Sequence, residues 1–427
     1  MMNLRAFVDL LDQKGLLVHI KKPVDVKYEI ATIMKKLDGR PLLFENVKGY
    51  EMPVVANVCS TKDLVALGLE TTKENLLKKF IEGIENPKPP GIIGAEGYEE
   101  MEPDLSKIPI LTYYPFDGGP YIASSIVIAN DPEYGQNASY QRTMILGKDE
   151  VVMRILERDF NTYLERGLKE FAICIGNTIP VMLASSISTK VDKSELDIAN
   201  AFGETKLIDL AGHKIPETEI VLIAEVTGRK AKEGPFLDLT ETPDIVREQR
   251  VFKIKKIFRR KDSMFHALLP GGLEHKVLMG MPREPTIYQE VSKVCDCKDV
   301  LITPGGCSWL HGAVSIRKKN PDDGKTAIEA AFKGHKSMKH VFVVDEDIDI
   351  SNPNEIEWAM ATRFQGDKDI VMKPGEKGSS LDPSSNLETK ETCKIGFDLT
   401  IPEGKNPGDF KKPGLPMDLN VEDYLEG

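Results

Sequence analysis

The chain opens on a helical pattern, with Leu4, Phe7, Val8 and Leu11 on one face and Gly15 as its stop, and an apolar stretch follows at 16–20. Short apolar runs at 41–44 and 53–56 read as strands. Residues 71–84 predict a helix opened by a capping box from Thr71 to Glu74, burying Leu77, Phe80, Ile81 and Ile84. The periodicity stops at 86–91, where three prolines in six residues predict a linker or domain boundary.

From about 106 to 290 the pattern changes to short apolar runs separated by turn residues: SSIVIAN, RTMILGKDEVVMRIL, EIVLIAEV and VFKIKKIF. The GKDE turn at 147–150 predicts a hairpin, and helical patterns at 157–171 and 193–202 interrupt the runs. The middle therefore reads as a β-barrel or sandwich carrying an inserted helical unit. After residue 297 strands alternate with helices, and Asn352 caps the last helix with Pro353 at its first position. The tail from Lys373 onward, rich in Gly, Pro, Ser and charge, reads as an extended arm with little core of its own. The expected fold is a multidomain α+β to α/β arrangement: an N-terminal α/β unit over 1–105, a central β unit over 106–295 and a C-terminal α/β unit with its arm over 296–427.

Length agrees with that division, because 427 residues correspond to two or three domains. No apolar run approaches the roughly 20 residues a helix needs to cross a bilayer. Asp9 and Asp12 interrupt the start where a signal peptide needs an unbroken apolar core, so a cytoplasmic location with no membrane partner is expected. A net charge of −11 opposes non-specific binding to nucleic acid. The six cysteines are scattered apart from the pair Cys295/Cys297, and read as reduced thiols.

Several apparent motifs fail. The glycine loops GIIGAEG, PGGCSW and PGEKGSS lack the order of a phosphate cradle. Asp345, Asp347 and Asp349 imitate the start of a calcium loop, but Ile350 stands where the sharp turn demands glycine, so an acidic strand end at the surface is expected. The seven histidines form no zinc-hydrolase cluster.

Three segments of the middle carry the candidate chemistry: Asn137-Ala-Ser-Tyr-Gln-Arg142, the helix start at Ser194-Glu195, and Glu233-Gly-Pro-Phe-Leu-Asp238. Each has a structural reading of its own. Arg142 is either a solvated cation at a strand start or one that enters a barrel and needs a partner. Glu195, in the first turn of a capped helix, is favoured by the dipole whether or not it binds anything. Glu233 and Asp238 would lie roughly 17 Å apart on a straight strand, and converge only if Gly234-Pro235 bends the chain.

Taken together and in this order, the segments resemble the UbiD family of reversible decarboxylases, and the likeness covers nearly the whole chain. NLRAFVDLLDQKGLLVHIKKPVD and RPLLFENVKGYEMPVVANV are similar to that family's opening, NDPEYGQNASYQRTMILGKDEVVMRIL to its cofactor-binding strand pair, EGPFLD to its acidic loop, and PGGCSWLHGAVSI with EWAMATRF to its C-terminal domain. The resemblance implies a prenylated flavin mononucleotide in a central FMN-binding split β-barrel, with a divalent metal, manganese or magnesium, bridging its phosphate to the protein; it also allows potassium. Asn137 and Glu195 match the metal ligands, and two oxygen donors suit a hard cation. Many members place a histidine as a further ligand, whereas this chain has Glu157-Arg158-Asp159-Phe160, with Asp159 as the substitute. Asn137 and Arg142 are an odd number apart, so Asn137 is expected to end the preceding loop.

By the same matching, Arg142, Glu233 and Asp238 correspond to the catalytic network. Loss of carbon dioxide leaves a carbanion that only an electron-sink cofactor can delocalise. Arg142 is expected to grip the substrate carboxylate bidentately, and Asp238, with Glu233 as its partner, to return a proton. Tyr140, Gln141, Arg142, Arg154, Ile155 and Leu156 match cofactor-contacting positions. Length and arm resemble the archaeal members, which implies a small carboxylic acid substrate, trans-anhydromevalonate 5-phosphate, yielding isopentenyl phosphate. A 4-hydroxybenzoate-type acid of quinone synthesis is second. The implied partners are a flavin prenyltransferase that supplies the cofactor and further copies of the chain in a homo-oligomer. A phosphorylated substrate asks for a second cationic site, and Arg247, Arg250, Lys253, Lys255, Lys256 and the glycine loop ending in His275-Lys276 are candidates, although any one of the basic residues reads first as balancing an acidic surface. Other classes remain open: a split-barrel flavin reductase, which would leave the Glu-Arg-Asp set without a job, and a non-catalytic assembly protein using its arm.

Overall fold

The computed structural model describes residues 2–189, 191, 193–386, 388–414, 417 and 424. The helix Leu4–Gln13 buries Leu4, Phe7, Val8 and Leu11 as expected, and the Asn3 side chain accepts from the Ala6 amide at its start. Strands Val18–Ile20, Leu42–Phe44 and Val54–Ala56 form a sheet with Phe265–Ala267, which arrives from far along the chain.

The capping box is not formed. Thr72 leads a single 3₁₀ turn, Lys73–Asn75, and the α-helix runs Leu76–Glu85. The tighter turn shifts the helical phase by a residue, so Leu76, Phe80 and Gly83 are buried while Leu77, Ile81 and Ile84 are half-buried. Gly83 is required there, since a Cβ would lie 2.5 Å from the Phe202 ring.

The centre is a nine-stranded antiparallel sheet built on two long strands, Thr218–Glu233 and Arg247–Arg260. The expected hairpin pairs Thr143–Ile145 with Glu150–Met153. The helical reading of 157–171 is corrected: the helix is Asp159–Glu165, Gly167 breaks it at φ +97°, and Glu170–Asn177 becomes an inner strand. Asn137 is corrected too. It stands within the strand Gly135–Tyr140, opposite Ala129, and the chain leaves that strand before Arg142, so the odd spacing does not set their faces.

The C-terminal sheet has the order Asp296–Ile302, His311–Arg317, His340–Asp345, Glu391–Asp398, Ile370–Lys377. One of its strands lies wholly in the supposed arm, and a second, Ile370–Lys377, runs into it. Glu391–Asp398 lies parallel to His340–Asp345 inside the sheet. Its glycine and charge disguise it: Gly396 makes room for Ile328, whose Cγ2 would be 2.1 Å from a Cβ, and buried Lys394 donates to the Lys336 carbonyl at 2.6 Å. The acidic strand end is likewise more than surface. Arg363, 1% exposed, donates to Asp347 at 2.9 and 2.6 Å and to Asp345 at 3.3 Å. No helix among the described residues is long and apolar enough to cross a membrane.

Two histidines make this unit acid-sensitive. Burial and then the charge of Arg283 push His335 down to about 3, and burial with the neighbouring His340 pushes His311 down to about 4. The unfolded chain therefore takes up protons first, from about pH 6.5 downward. Stability is fully present above that pH and falls as pH drops toward 4, by a total on the order of a few kcal/mol. Urea midpoints measured between pH 7.5 and 4.5 should decline, and the His335→Gln variant should decline less steeply.

Candidate active site

Glu233 ends the long strand Thr218–Glu233 with a side chain 0% exposed. Gly234 then turns the chain at φ +97°, where a Cβ would also press on the Ile245 carbonyl at 3.1 Å. A small hairpin of Phe236–Leu237 and Pro243–Asp244 follows, folding Asp238 and Asp244 back toward Glu233. All three carboxylates meet Arg142. Its Nε and Nη2 donate to Glu233 at 2.9 and 3.0 Å, Nη1 to Asp238 at 2.9 Å, and Nη2 also to Asp244 at 2.8 Å. The Phe236 ring lies 4.8 Å from the guanidinium carbon, and the Tyr121 hydroxyl donates to Glu233 at 3.1 Å. Burial opposes the charge of Arg142, but the bonds and charges of Glu233, Asp238 and Asp244 outweigh it and raise its pKa.

A guanidinium has five N–H groups, and these contacts use four of them. One N–H on Nη1 remains. The expected bidentate grip on a substrate carboxylate is therefore corrected: it forms only if a protein carboxylate gives way. Asp238 is the one least held. It has one Arg142 contact and the adjacent Leu239 amide, whereas Glu233 has two Arg142 contacts and Tyr121.

The second cluster gathers the expected metal ligands. Glu195, 2% exposed, starts the helix Glu195–Phe202 behind the Ser194 cap. It accepts from the Ala138 amide at 2.9 Å, from Asn137 Nδ2 at 3.2 Å and from Thr189 at 3.1 Å. Burial dominates over these bonds, and with the charge of Asp159 it pushes the carboxyl up to about 7. No ion pair reaches Glu195 among the described residues. A buried carboxylate with no cationic partner among the described residues suits a hard divalent cation; Asn137 turns its Nδ2 to Glu195 while its Oδ1 accepts from Ser139 at 3.1 Å, so its amide joins the ligand set once turned over, and Asp159 stands near enough to act on Glu195 electrostatically.

The remaining expected contacts scatter more widely. The Tyr140 hydroxyl is buried without a partner, Gln141 donates to Ser139 at 3.2 Å, and the Ile155 amide donates to Gln249 at 3.1 Å. Leu156 is 44% exposed, and Arg154 donates to the Ile155 carbonyl at 3.0 Å without an acidic partner among the described residues. The basic run follows its surface reading. Lys253, Lys255 and Lys256 pair with Asp149, Glu225 and Glu100 on exposed faces, and Arg247 is held by Asp244.

The structure adds residues to these clusters, of which Asp244, Arg283 and Ser188 went unmarked in the sequence. Asp244 completes the Arg142 network. Arg158 and Arg283 both donate to the Ser188 hydroxyl, at 3.4 Å and at 3.1 Å from each Nη of Arg283, and the Nε of Arg283 is buried without a partner. Burial and the charge of Arg158 push Arg283 down to about 10, a convergence of cations that an anion would relieve. His275 accepts the Gly271 amide at Nδ1, 3.1 Å away, which places the proton of its neutral ring on Nε2. Arg158, beside Asp159, and His275, in its glycine loop, carried a local signal; Asp244, Arg283 and Ser188 did not.

Comparison with known proteins identifies the family. Family models described as the N-terminal, Rift-related and C-terminal domains of 3-octaprenyl-4-hydroxybenzoate carboxy-lyase match residues 8–84, 91–273 and 276–399. The chain is 41% identical to the anhydromevalonate phosphate decarboxylase of Methanothermobacter thermautotrophicus, over 93% of this chain and 97% of that protein. It is also 41% identical to the protein of that name from Methanocaldococcus jannaschii, over 92% and 96%. The UbiD-class enzyme HmfF of Pelotomaculum thermopropionicum, solved with FMN, superposes with a TM-score of 0.95 at 34% identity, covering 99% of this chain and all of that one. An evolved dimeric form of HmfF with prFMN gives 0.91 at 32% identity, covering all of both chains. Three family models matched in order, with close relatives along nearly the whole length, make this chain a member of the UbiD family of decarboxylases.

Proposed function

We propose that the protein releases carbon dioxide from trans-anhydromevalonate 5-phosphate to give isopentenyl phosphate, using prenylated FMN and a divalent manganese or magnesium ion. The observation that carries the chemistry is Arg142 held by three carboxylates of unequal attachment. The archaeal relatives of that name support the substrate. The nine-stranded sheet is the split barrel of this reading, with Tyr140, Gln141, Arg154, Ile155 and Leu156 toward the flavin.

When bound, the prenylated flavin supplies the electron sink for the carbanion. Arg142 orients the substrate carboxylate through Nη1 as Asp238 turns aside. Once turned from Arg142, Asp238 takes a proton from solvent; after carbon dioxide leaves it passes that proton to the same carbon and is left as the carboxylate, while Glu233 keeps Arg142 in place. Asn137 and Glu195, with Asp159 nearby, would hold the divalent cation, and Arg158, Arg283 and Ser188 would offer three donors to the phosphate of the cofactor.

Glu195→Ala is expected to purify folded but largely without flavin and metal, because one of two oxygen ligands to a hard cation is lost. Flavin absorbance and metal content check this, and normal occupancy would remove Glu195 from the site.

The substrate is tested with enzyme coexpressed with a flavin prenyltransferase. Carbon dioxide release is expected from trans-anhydromevalonate 5-phosphate, with kcat/KM lower by about tenfold to a hundredfold for the dephosphorylated acid, the scale of one charge-assisted contact. Equal or better turnover of the dephosphorylated acid or of 4-hydroxybenzoate overturns the substrate while leaving the decarboxylase.

A further inference from the structure

Asp244 shares Arg142 with Glu233 and Asp238, yet its position differs from theirs. Its Oδ2 accepts from Arg142 Nη2 at 2.8 Å and from Arg247 Nη1 at 2.7 Å, and its Oδ1 accepts from the Ile245 amide at 2.9 Å. Arg247 is itself anchored on the Ile245 carbonyl at 3.1 Å. The carboxylate is thus clamped between two guanidiniums and its own backbone. Burial opposes its ionisation, but the bond from Arg247 and the charge of Arg142 prevail and hold it below the ordinary range.

We propose that Asp244 is a positioning residue for decarboxylation: it occupies Nη2 of Arg142, leaves Nη1 as the approach for a substrate carboxylate, and sets its own negative charge against that carboxylate. This rests on Arg142 being the group that meets the substrate. The donor count supports it. Glu233 takes Nε and one N–H of Nη2, Asp244 takes the other, and Asp238 takes one of two on Nη1. With Nη2 filled, a substrate carboxylate that displaces the loosely held Asp238 is gripped through Nη1 alone, whose two N–H bonds diverge by about 120° and cannot form the parallel pair of a bidentate contact. The added negative charge then keeps that grip weak. A weak grip matters because the carboxylate surrenders its charge as carbon dioxide departs, and binding strongest in the ground state would slow the step.

The test is steady-state kinetics on holoenzyme carrying Asp244→Asn or Asp244→Glu, each checked for flavin absorbance. Asp244→Asn is expected to lower KM several-fold and kcat by about tenfold, the joint fall that marks relief of ground-state repulsion, and Asp244→Glu to return both toward wild type. A structural role would lower kcat with KM unchanged or raised, and that outcome, or wild-type kinetics, overturns the proposal. If Asp244→Asn is not recovered folded with flavin, Arg247→Gln decides. It removes the positive partner of Asp244, so KM should rise several-fold; an unchanged KM overturns the proposal. Full turnover by Arg142→Lys would instead remove the Arg142 reading underneath.

Discussion

Arg142→Ala is expected to lose turnover and also about 3–5 kcal/mol of stability, the range for stripping the partner from a buried ion pair. Glu233, 0% exposed, would keep only the Tyr121 hydroxyl, and Asp244 only Arg247 and a backbone amide. The penalty is electrostatic and so can be relieved. Adding Glu233→Gln to Arg142→Ala should recover part of the lost stability, because it removes a buried charge that has lost its partner. Urea denaturation of the two single variants and the double variant measures this. Additive losses, or an unchanged midpoint for Arg142→Ala, would show that the network contributes little to folding.

Asp238→Asn should keep the flavin spectrum and lose turnover by roughly two orders of magnitude or more, the usual scale for a lost general acid. Asparagine preserves the contact shape but cannot give a proton. Stability should change little, since Asp238 is the least held of the three carboxylates and is partly open to solvent. Spectra together with single-turnover rates separate loss of cofactor from loss of chemistry. Near-wild-type rates would transfer the proton to Glu233 or to water.

Much of the site was legible, though not from any residue alone. Arg142 before an apolar strand and Glu233 before Gly-Pro each also admit an ordinary surface reading, and it was the ordered likeness of the three segments to one family that singled them out. What stayed hidden was whatever depends on a partner far along the chain. Asp244 reads as an ordinary turn acid, and only the hairpin after Gly234 brings it to Arg142, 102 residues away. Arg283 meets Ser188 across 95 residues, and neither has a neighbour in sequence that marks it. Closeness in sequence left Lys253, Lys255 and Lys256 open to a shared phosphate site as well as to a surface role, and the fold decides for the surface, since each pairs with a different acid.

By itself the sequence determined the amphipathic elements, such as Leu4–Gln13 with its four buried apolar residues, the turn between Thr143–Ile145 and Glu150–Met153, and the residue types able to serve the site. These follow from local periodicity and turn chemistry, which act over a few residues. Tertiary structure decided the rest. It drew Glu391–Asp398 into the middle of a sheet despite its glycine and charge, since pairing with His340–Asp345 satisfies the backbone of both. It also decided how many carboxylates share Arg142, because a buried guanidinium takes whichever acids the folded chain places around its five donors.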